Sequence, residues 1–237
     1  MSEKIINRFS EGIRDGVPIG LGYLSVSFTF GMMAVASGIP VWAAVAISMT
    51  NLTSAGQFAG LSGIAAAVSY LEVALSQLVI NIRYALMSVS LSQRLDKAIK
   101  IPGRLGIAFG ITDEIFAVSS TKEGRVGKRY MGGLILAPYL GWALGTALGA
   151  LAGTLLPASV QSALGIAIYG MFLAIILPAA KKSRPIFAVL LIAVGLSCLF
   201  RYLPFLRGVS DGFVIIICAT VAALCGALLF PEKEASV

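Results

Sequence analysis

Four charged side chains lie in or beside long apolar stretches of this chain: Glu72, Arg83, Asp113 and Glu114. At membrane depth each would cost at least ~2–3 kcal/mol near the bilayer centre, so such groups are expected to be paired or to do work. The work open to them is to carry a coupling proton or to orient a charged substrate. Glu72, Ser76, Ile80 and Arg83 fall on one helical face. Glu72 and Arg83 are about three turns apart, roughly 16 Å along a helix, too far to pair. Arg83 is therefore expected to reach an acid on another helix, with Asp113 or Glu114 as candidates. The plainer readings place Glu72 near the outer membrane surface and let Arg83 snorkel towards headgroups.

A second group is polar but uncharged. Asn51, Thr53, Ser54, Gln57, Gln77 and Asn81 crowd into two neighbouring apolar runs, with Gly56 among them. If the helix breaks there and restarts, its first backbone N–H groups and its dipole favour an anion such as a carboxylate. The small residues Ser54, Ala55 and Gly56 would let a ligand approach the backbone. This makes Asn51, Thr53, Ser54, Gly56, Gln57, Gln77 and Asn81 candidate substrate-binding residues. Interhelical hydrogen bonds that merely hold a bundle together are the structural alternative.

Other chemistries find little support. The chain has no histidine, which removes a histidine base or metal ligand. Cys198, Cys218 and Cys225 lie in late apolar runs without metal-type spacing and read as small buried hydrophobes. No nucleophile–base pair and no phosphate-binding Gly-Lys-Ser/Thr loop is visible. No metal, cofactor, nucleic-acid partner or catalytic role is expected.

The elements that must position these residues are transmembrane helices. Hydrophobic residues make up 58% of 237 positions and charged residues only 12%, about half the charged fraction of soluble domains. One soluble core could not hide that many apolar side chains. Apolar runs near 16–36, 41–65, 66–82, 105–120, 130–153, 160–180, 185–200 and 212–230 compare with the roughly 17–25 residues of a helical span. Two-residue alternation is absent, which argues against a β-barrel, and backbone groups in lipid must be satisfied internally.

Lys and Arg gather at the N-terminus and at 94–104, 122–129 and 181–184. Such loops are expected to be cytoplasmic, and the net charge of +7 reads as an orientation signal. Full crossings by 41–65 and 105–120 would conflict with that assignment. Both runs hold polar breaks, Asn51-Leu52-Thr53-Ser54 and Gly110-Ile111-Thr112-Asp113, and Thr53 or Ser54, and Thr112, are good N-caps for a restarting helix. The expectation is an all-α polytopic bundle of about six full spans plus two re-entrant or broken segments, with seven or eight simple spans as the alternative. Paired interrupted helices point to a transporter's central site.

Residues 1–15 do not read as a cleavable signal peptide. They are expected to form a cytoplasmic amphipathic segment, with a surface helix over 2–14 or a solvated tail. Residues 16–230 are expected to form one transmembrane transporter domain and 231–237 a cytoplasmic tail. Glycine recurs every fourth position at Gly141, Gly145 and Gly149, a close-packing pattern. Gly16, Gly20 and Gly31, with Pro18, serve packing and bending in the first span. Tyr139, Trp142, Tyr169, Tyr202 and Phe205 are candidate interfacial anchors.

Several stretches together resemble the AzlC-like branched-chain amino acid permeases. They are Gly12-Ile13-Arg14-Asp15-Gly16-Val17-Pro18-Ile19-Gly20, Ser54-Ala55-Gly56-Gln57-Phe58, Asn81-Ile82-Arg83-Tyr84-Ala85-Leu86-Met87-Ser88 and Thr112-Asp113-Glu114-Ile115-Phe116. The resemblance runs from about 11 to 230 and rests on order and spacing. It implies a bacterial inner-membrane exporter of branched-chain amino acids, driven by an ion gradient and acting with a small hydrophobic AzlD-like membrane subunit. On that reading Ser54, Gly56 and Gln57 bind substrate, and Asp113 or Glu114 takes up and releases the proton. A channel, a non-transporting scaffold subunit and a membrane enzyme are the other classes.

Overall fold

The computed structural model describes residues 5–155, 183–206 and 208–230, with isolated positions between 157 and 181. In chain order the helices are α1 (Phe9–Ala36), α2 (Val41–Thr50), α3 (Ser54–Ala65), α4 (Tyr70–Arg94), α5 (Ile101–Phe109), α6 (Asp113–Ser120), α7 (Lys128–Leu155), α8 (Arg184–Tyr202) and α9 (Asp211–Leu229). Two short strands, β1 (Ile5–Ile6) and β2 (Arg125–Val126), pair in parallel. Among the described residues five helices are long and apolar enough to cross a membrane: α1, α4, α7, α8 and α9. They correspond to five of the six expected full spans. The sixth, at 160–180, lies outside the described residues, as does Tyr169.

The two anomalous runs are broken helices. Residues 41–65 form α2 and α3 with an extended joint at Asn51 (φ −143°, ψ 97°). The second run breaks after α5 at Gly110 and restarts as α6. At about 1.5 Å per residue none of these four helices crosses a bilayer alone. Thr112 caps α6 as expected, its hydroxyl accepting from Ile115 N–H.

The chain forms two compact units. The first comprises residues up to Phe58 together with Asn81–Gly165, and the second comprises Ala59–Ile80 with Ile166 onwards.

In the first unit α1 and α7 pack side by side along their whole length, with backbone against backbone. A Cβ placed on Gly12, Gly16, Gly20 or Gly31 would collide with backbone atoms of α7. One placed on Gly133, Gly141, Gly145 or Gly149 would collide with α1. Higher positions on α1 meet higher positions on α7, so the two helices run parallel. This is the close approach that glycine spacing predicts.

One edge of this unit gathers three chain segments. Gly127 N–H donates to Ile6 C=O (2.7 Å) and Asp96 N–H to Val126 C=O (2.9 Å). Leu95 bridges Val126, and Arg129 N–H donates to Asn7 Oδ1 (2.8 Å). The start of α1, the end of α4 and the start of α7 therefore share one edge. The run α5–α6 leaves that edge and returns to it. Within the first unit α2 runs from the end of α1 to Met49, whose carbonyl accepts from Tyr139 OH (3.0 Å), and α3 then turns back past Trp142 to Phe58, which meets Phe30 of α1 edge-on. The geometry is that of re-entrant segments. A core of Leu91, Ile107, Ile111, Ile115, Tyr130 and Leu134 holds α5–α6 in place.

The N-terminus corrects the surface-helix expectation over 2–14. Ile5 and Ile6 are strand residues, and the helix that begins at Phe9 is the first span itself. Backbone pairing with 125–127 outweighs the helical periodicity of residues 5–8. Trp142 corrects the interfacial-anchor expectation, being fully buried in the first unit.

In the second unit α8 and α9 are joined by a 3-10 turn at Pro204–Leu206, with Gly226 of α9 against Val189 of α8. The cysteines depart in part from the buried expectation: Cys218 is buried, Cys225 half-buried and Cys198 exposed on the apolar face of α8.

Candidate functional site

Within the first unit the two helix breaks face one small cavity. It is lined by Tyr23 of α1, Leu52 and Ser54 at the first break, Tyr84 of α4, Thr112–Glu114 at the second break, and Trp142 of α7. Its volume is about 20 Å³, room for roughly one water molecule.

The charges meet as anticipated. Arg83 Nη1 lies 2.7 Å from Asp113 Oδ2, and its guanidinium stacks over the Tyr84 ring at 5.1 Å. Both partners keep nearly half of their side-chain surface accessible. Glu114 takes a different partner, the Tyr23 hydroxyl. That hydroxyl also lies 2.7 Å from Thr112 Oγ1. A phenol has one proton to give, so with Glu114 ionised Tyr23 donates to the carboxylate and Thr112 donates to Tyr23. With Glu114 protonated the direction can reverse.

The first break is held by a polar network. Thr53 donates to Asn81 Oδ1 (2.8 Å) and accepts from Tyr84 OH (3.3 Å). Gln57 is buried, and its amide is committed at both ends. Nε2 donates to Ser48 Oγ (2.9 Å), and Oε1 accepts from Trp142 Nε1–H (2.6 Å). Ser48 in turn bonds Thr146 of α7 at 2.7 Å. Trp142 meets the Tyr23 ring edge-on at 5.3 Å. Gln57 thus fixes the tryptophan wall of the cavity and anchors α3 to α7. Ser54 and Ala55 open α3, and by helix geometry their N–H groups have no intrahelical acceptor. Asn51 stands at the joint itself, and Gly56 follows in the first turn of α3.

Two predicted residues belong to the second unit. Gln77 lines a separate cavity of about 50 Å³ there. Glu72 is buried (5% exposed), and its carboxylate accepts from Ser210 OH (2.5 Å) and Gly212 N–H (3.0 Å). Its partners are neutral donors at the start of α9, so it caps that helix from α4. Arg83, Asp113 and Glu114 come together with Thr53, Ser54 and Asn81; Glu72 and Gln77 are placed elsewhere in the chain.

Tyr23 and Trp142 were not anticipated as site residues. A phenol in the middle of the apolar first span was a readable signal for Tyr23. Trp142, inside a glycine repeat, offered only its indole N–H, which when buried needs an acceptor.

The fold and this site define a polytopic helical membrane protein with paired broken helices around a charged centre. The profile of the AzlC protein family matches residues 18–156, and the chain belongs to that family. The inner membrane protein YgaZ of Escherichia coli (strain K12) is 30% identical over 74% of this chain and 75% of its own length. An uncharacterized membrane protein of Archaeoglobus fulgidus is 35% identical over 73% of this chain and 76% of its own. An uncharacterized membrane protein of Helicobacter pylori (strain 26695) is 28% identical over 64% of this chain. No solved structure matches. Membership of this family is consistent with a role in membrane transport.

Proposed function

We propose that the chain is the large subunit of a proton-coupled secondary transporter that exports branched-chain or related amino acids. One observation carries this reading. The N-termini of α3 and α6 meet at a single cavity that also holds an ion pair and a carboxylate–phenol pair. A zwitterionic amino acid carries one charge of each sign, and the site offers a complement to each. The substrate carboxylate is placed towards the opening N–H groups of α3 and Arg83, where helix dipole and guanidinium favour an anion. The ammonium group faces Asp113 and Glu114. Leu52 and Trp142 supply apolar surface for the side chain.

Coupling follows from the two carboxylates. Glu114 gains or loses a proton at its carboxylate, Tyr23 OH turning between donor and acceptor as it does so, and Asp113 holds Arg83 until substrate competes for it. A water-sized cavity admits no leucine side chain, so loading requires the surrounding elements to part. We assign the chain to the plasma membrane, the inner membrane in a bacterium, with both termini cytoplasmic: the N-terminus because the edge that gathers basic segments also holds the start of α1, and the C-terminus because an even number of crossings is expected. A small AzlD-like membrane subunit is the proposed partner, and substrate class and partner both rest on the family resemblance.

Efflux of labelled leucine, isoleucine and valine from loaded proteoliposomes containing both subunits tests this reading. A proton gradient should accelerate efflux. Asp113→Asn and Glu114→Gln should abolish that acceleration, with exchange counterflow surviving in Glu114→Gln. Coupling unchanged in both variants would sink their assigned role. Flux that neither saturates nor shows counterflow would indicate a channel instead.

A further inference from the structure

A larger opening lies away from this cavity, on the face where α5 packs beside α7. It is a groove of about 400 Å³ whose walls include Gly106, Phe109, Gly132, Leu136 and Tyr139. Glycines at 106 and 132 leave the floor low, and the Phe109 and Tyr139 rings meet edge-on (6.2 Å) to close one end. Phe109 and Leu136 are exposed, as are Ile101 and Leu105 on the same helix as Phe109. At its other end the groove reaches Lys128 and there joins a second pocket of about 480 Å³. Pro102, Gly103 and Lys128 line both. The second pocket is the more polar of the two, with Asn7, Asp96, Lys100 and Lys128 on its walls. It lies at the edge that gathers the basic segments.

The charge there is positive on balance. Asp96 is the single acid among the lining residues, and its Oδ1 accepts from Ala98 N–H (3.0 Å), which turns it into the local chain turn. None of the ion pairs among the described residues involves Lys100 or Lys128. An apolar trough that opens along the bilayer and ends at two lysines at headgroup level has the form of an acyl chain joined to a phosphate. Basic pockets between helices on the cytoplasmic side are where anionic headgroups bind.

We propose that this combined site binds one anionic phospholipid of the surrounding bilayer. The headgroup phosphate lies between Lys100 and Lys128, and an acyl chain lies over Gly106 and Gly132. The bound lipid wedges α5 against α7 and so sets the position of α6, whose first residues are Asp113 and Glu114.

The test uses the full chain in nanodiscs of phosphatidylcholine with graded phosphatidylglycerol, read by lipid retention in native mass spectrometry and by thermal unfolding. Wild type should retain one phosphatidylglycerol in preference to phosphatidylcholine. Lys100→Gln/Lys128→Gln should weaken that retention roughly thirtyfold, from two headgroup-level charges. Lys97→Gln, outside the pocket, should leave it unchanged. Gly106→Phe fills the trough, and since no atom lies within 4 Å of a Cβ at Gly106 the fold should survive. This variant should lose lipid retention while keeping wild-type unfolding in phosphatidylcholine alone. Equal retention of both lipids, or wild-type retention by the double lysine variant, would overturn the proposal. So would full substitution by inorganic phosphate, or a photo-crosslinker at position 106 that captures a protein chain rather than lipid. None of these readouts depends on amino acid flux, so failure here is separable from failure of the transport reading.

Discussion

At the scale of single residues, the site divides into groups that face the cavity and groups that hold it. Tyr23 belongs to the first kind. Tyr23→Phe removes one hydroxyl from between Thr112 and Glu114 and leaves the ring against Trp142. Gradient-driven efflux should fall by tenfold or more, on the scale of about 1.4 kcal/mol per tenfold, while substrate counterflow persists. Counterflow lost together with coupling would show that the ring position, not the hydroxyl, had changed. Gln57 belongs to the second kind. Gln57→Leu strands the buried Trp142 N–H, at about 1–3 kcal/mol for an unsatisfied group. A lower Tm in detergent should accompany it even in the absence of substrate.

Much of this scale was legible in advance. Helical spacing ruled out a pairing of Glu72 with Arg83 and pointed Arg83 towards Asp113 or Glu114, and the ion pair is with Asp113. The Tyr23 partner of Glu114 and the Trp142 partner of Gln57 were hidden because they come from α1 and α7, far away in sequence. Periodicity within one helix carries no information on which face of another it meets. Gln57 looked like a ligand for the same reason that it serves as a brace, since a buried amide needs partners of one kind or another.

At the scale of elements, the breaks in α2–α3 and α5–α6 could be read to within a residue or two from Thr53, Ser54 and Thr112. Polar caps mark a helix restart locally, and locality is what a sequence displays. The N-terminal strand could not be read, because its partner lies at 125–126. Helix packing yields a paired prediction. Gly149→Val drives a side chain into the backbone of α1 at Phe28 and should cost about 1–3 kcal/mol or more, seen as a lower Tm. Gly22→Ala, with open space around its Cβ, should be neutral or slightly stabilising. Equal effects would mean that α1 and α7 do not meet through their glycines. The end of α3 offers a gain instead. Ala67 has φ 51°, with Ala67 N–H and Val68 N–H donating back to Ile64 and Gly63 carbonyls, the closing turn that favours glycine. Ala67→Gly should raise stability by about 1 kcal/mol, measured as a Tm increase with efflux unchanged.

At the scale of the whole molecule, the basic edge fixes how the chain is threaded. Lys122 bridges Asp15 (2.7 Å) and Glu11 (3.3 Å) of α1 and lies over the Tyr130 ring at 5.2 Å. The hydrogen bond it donates to the Asp15 carboxylate is the main reason why its ammonium holds its proton above the usual lysine range. A raised lysine pKa stabilises fully below the unfolded value and loses that stabilisation as pH rises through the folded one. Lys122→Met should therefore destabilise the fold at neutral pH by about 1 kcal/mol or less, as for partly exposed pairs, read as a lower Tm. The difference from wild type should hold through the neutral range and shrink in strong alkali, as Lys122 loses its proton, and in strong acid, as its carboxylate partners gain theirs. A gap that closed on acidification to pH 6 would contradict this assignment.

The pairing of α1 with α7 also bears on how the protein is made. Gly20 rests on Gly141, and the ribosome must add every residue between them before that contact can exist. At about 5–20 residues per second the first helix spends on the order of ten seconds in the bilayer with its glycine face uncovered. A nascent chain stalled or truncated before α7 leaves the membrane with an incomplete helix pair. Such intermediates are the natural substrates for membrane chaperones and proteases, and their lifetime is set by translation speed rather than by the stability of the finished protein.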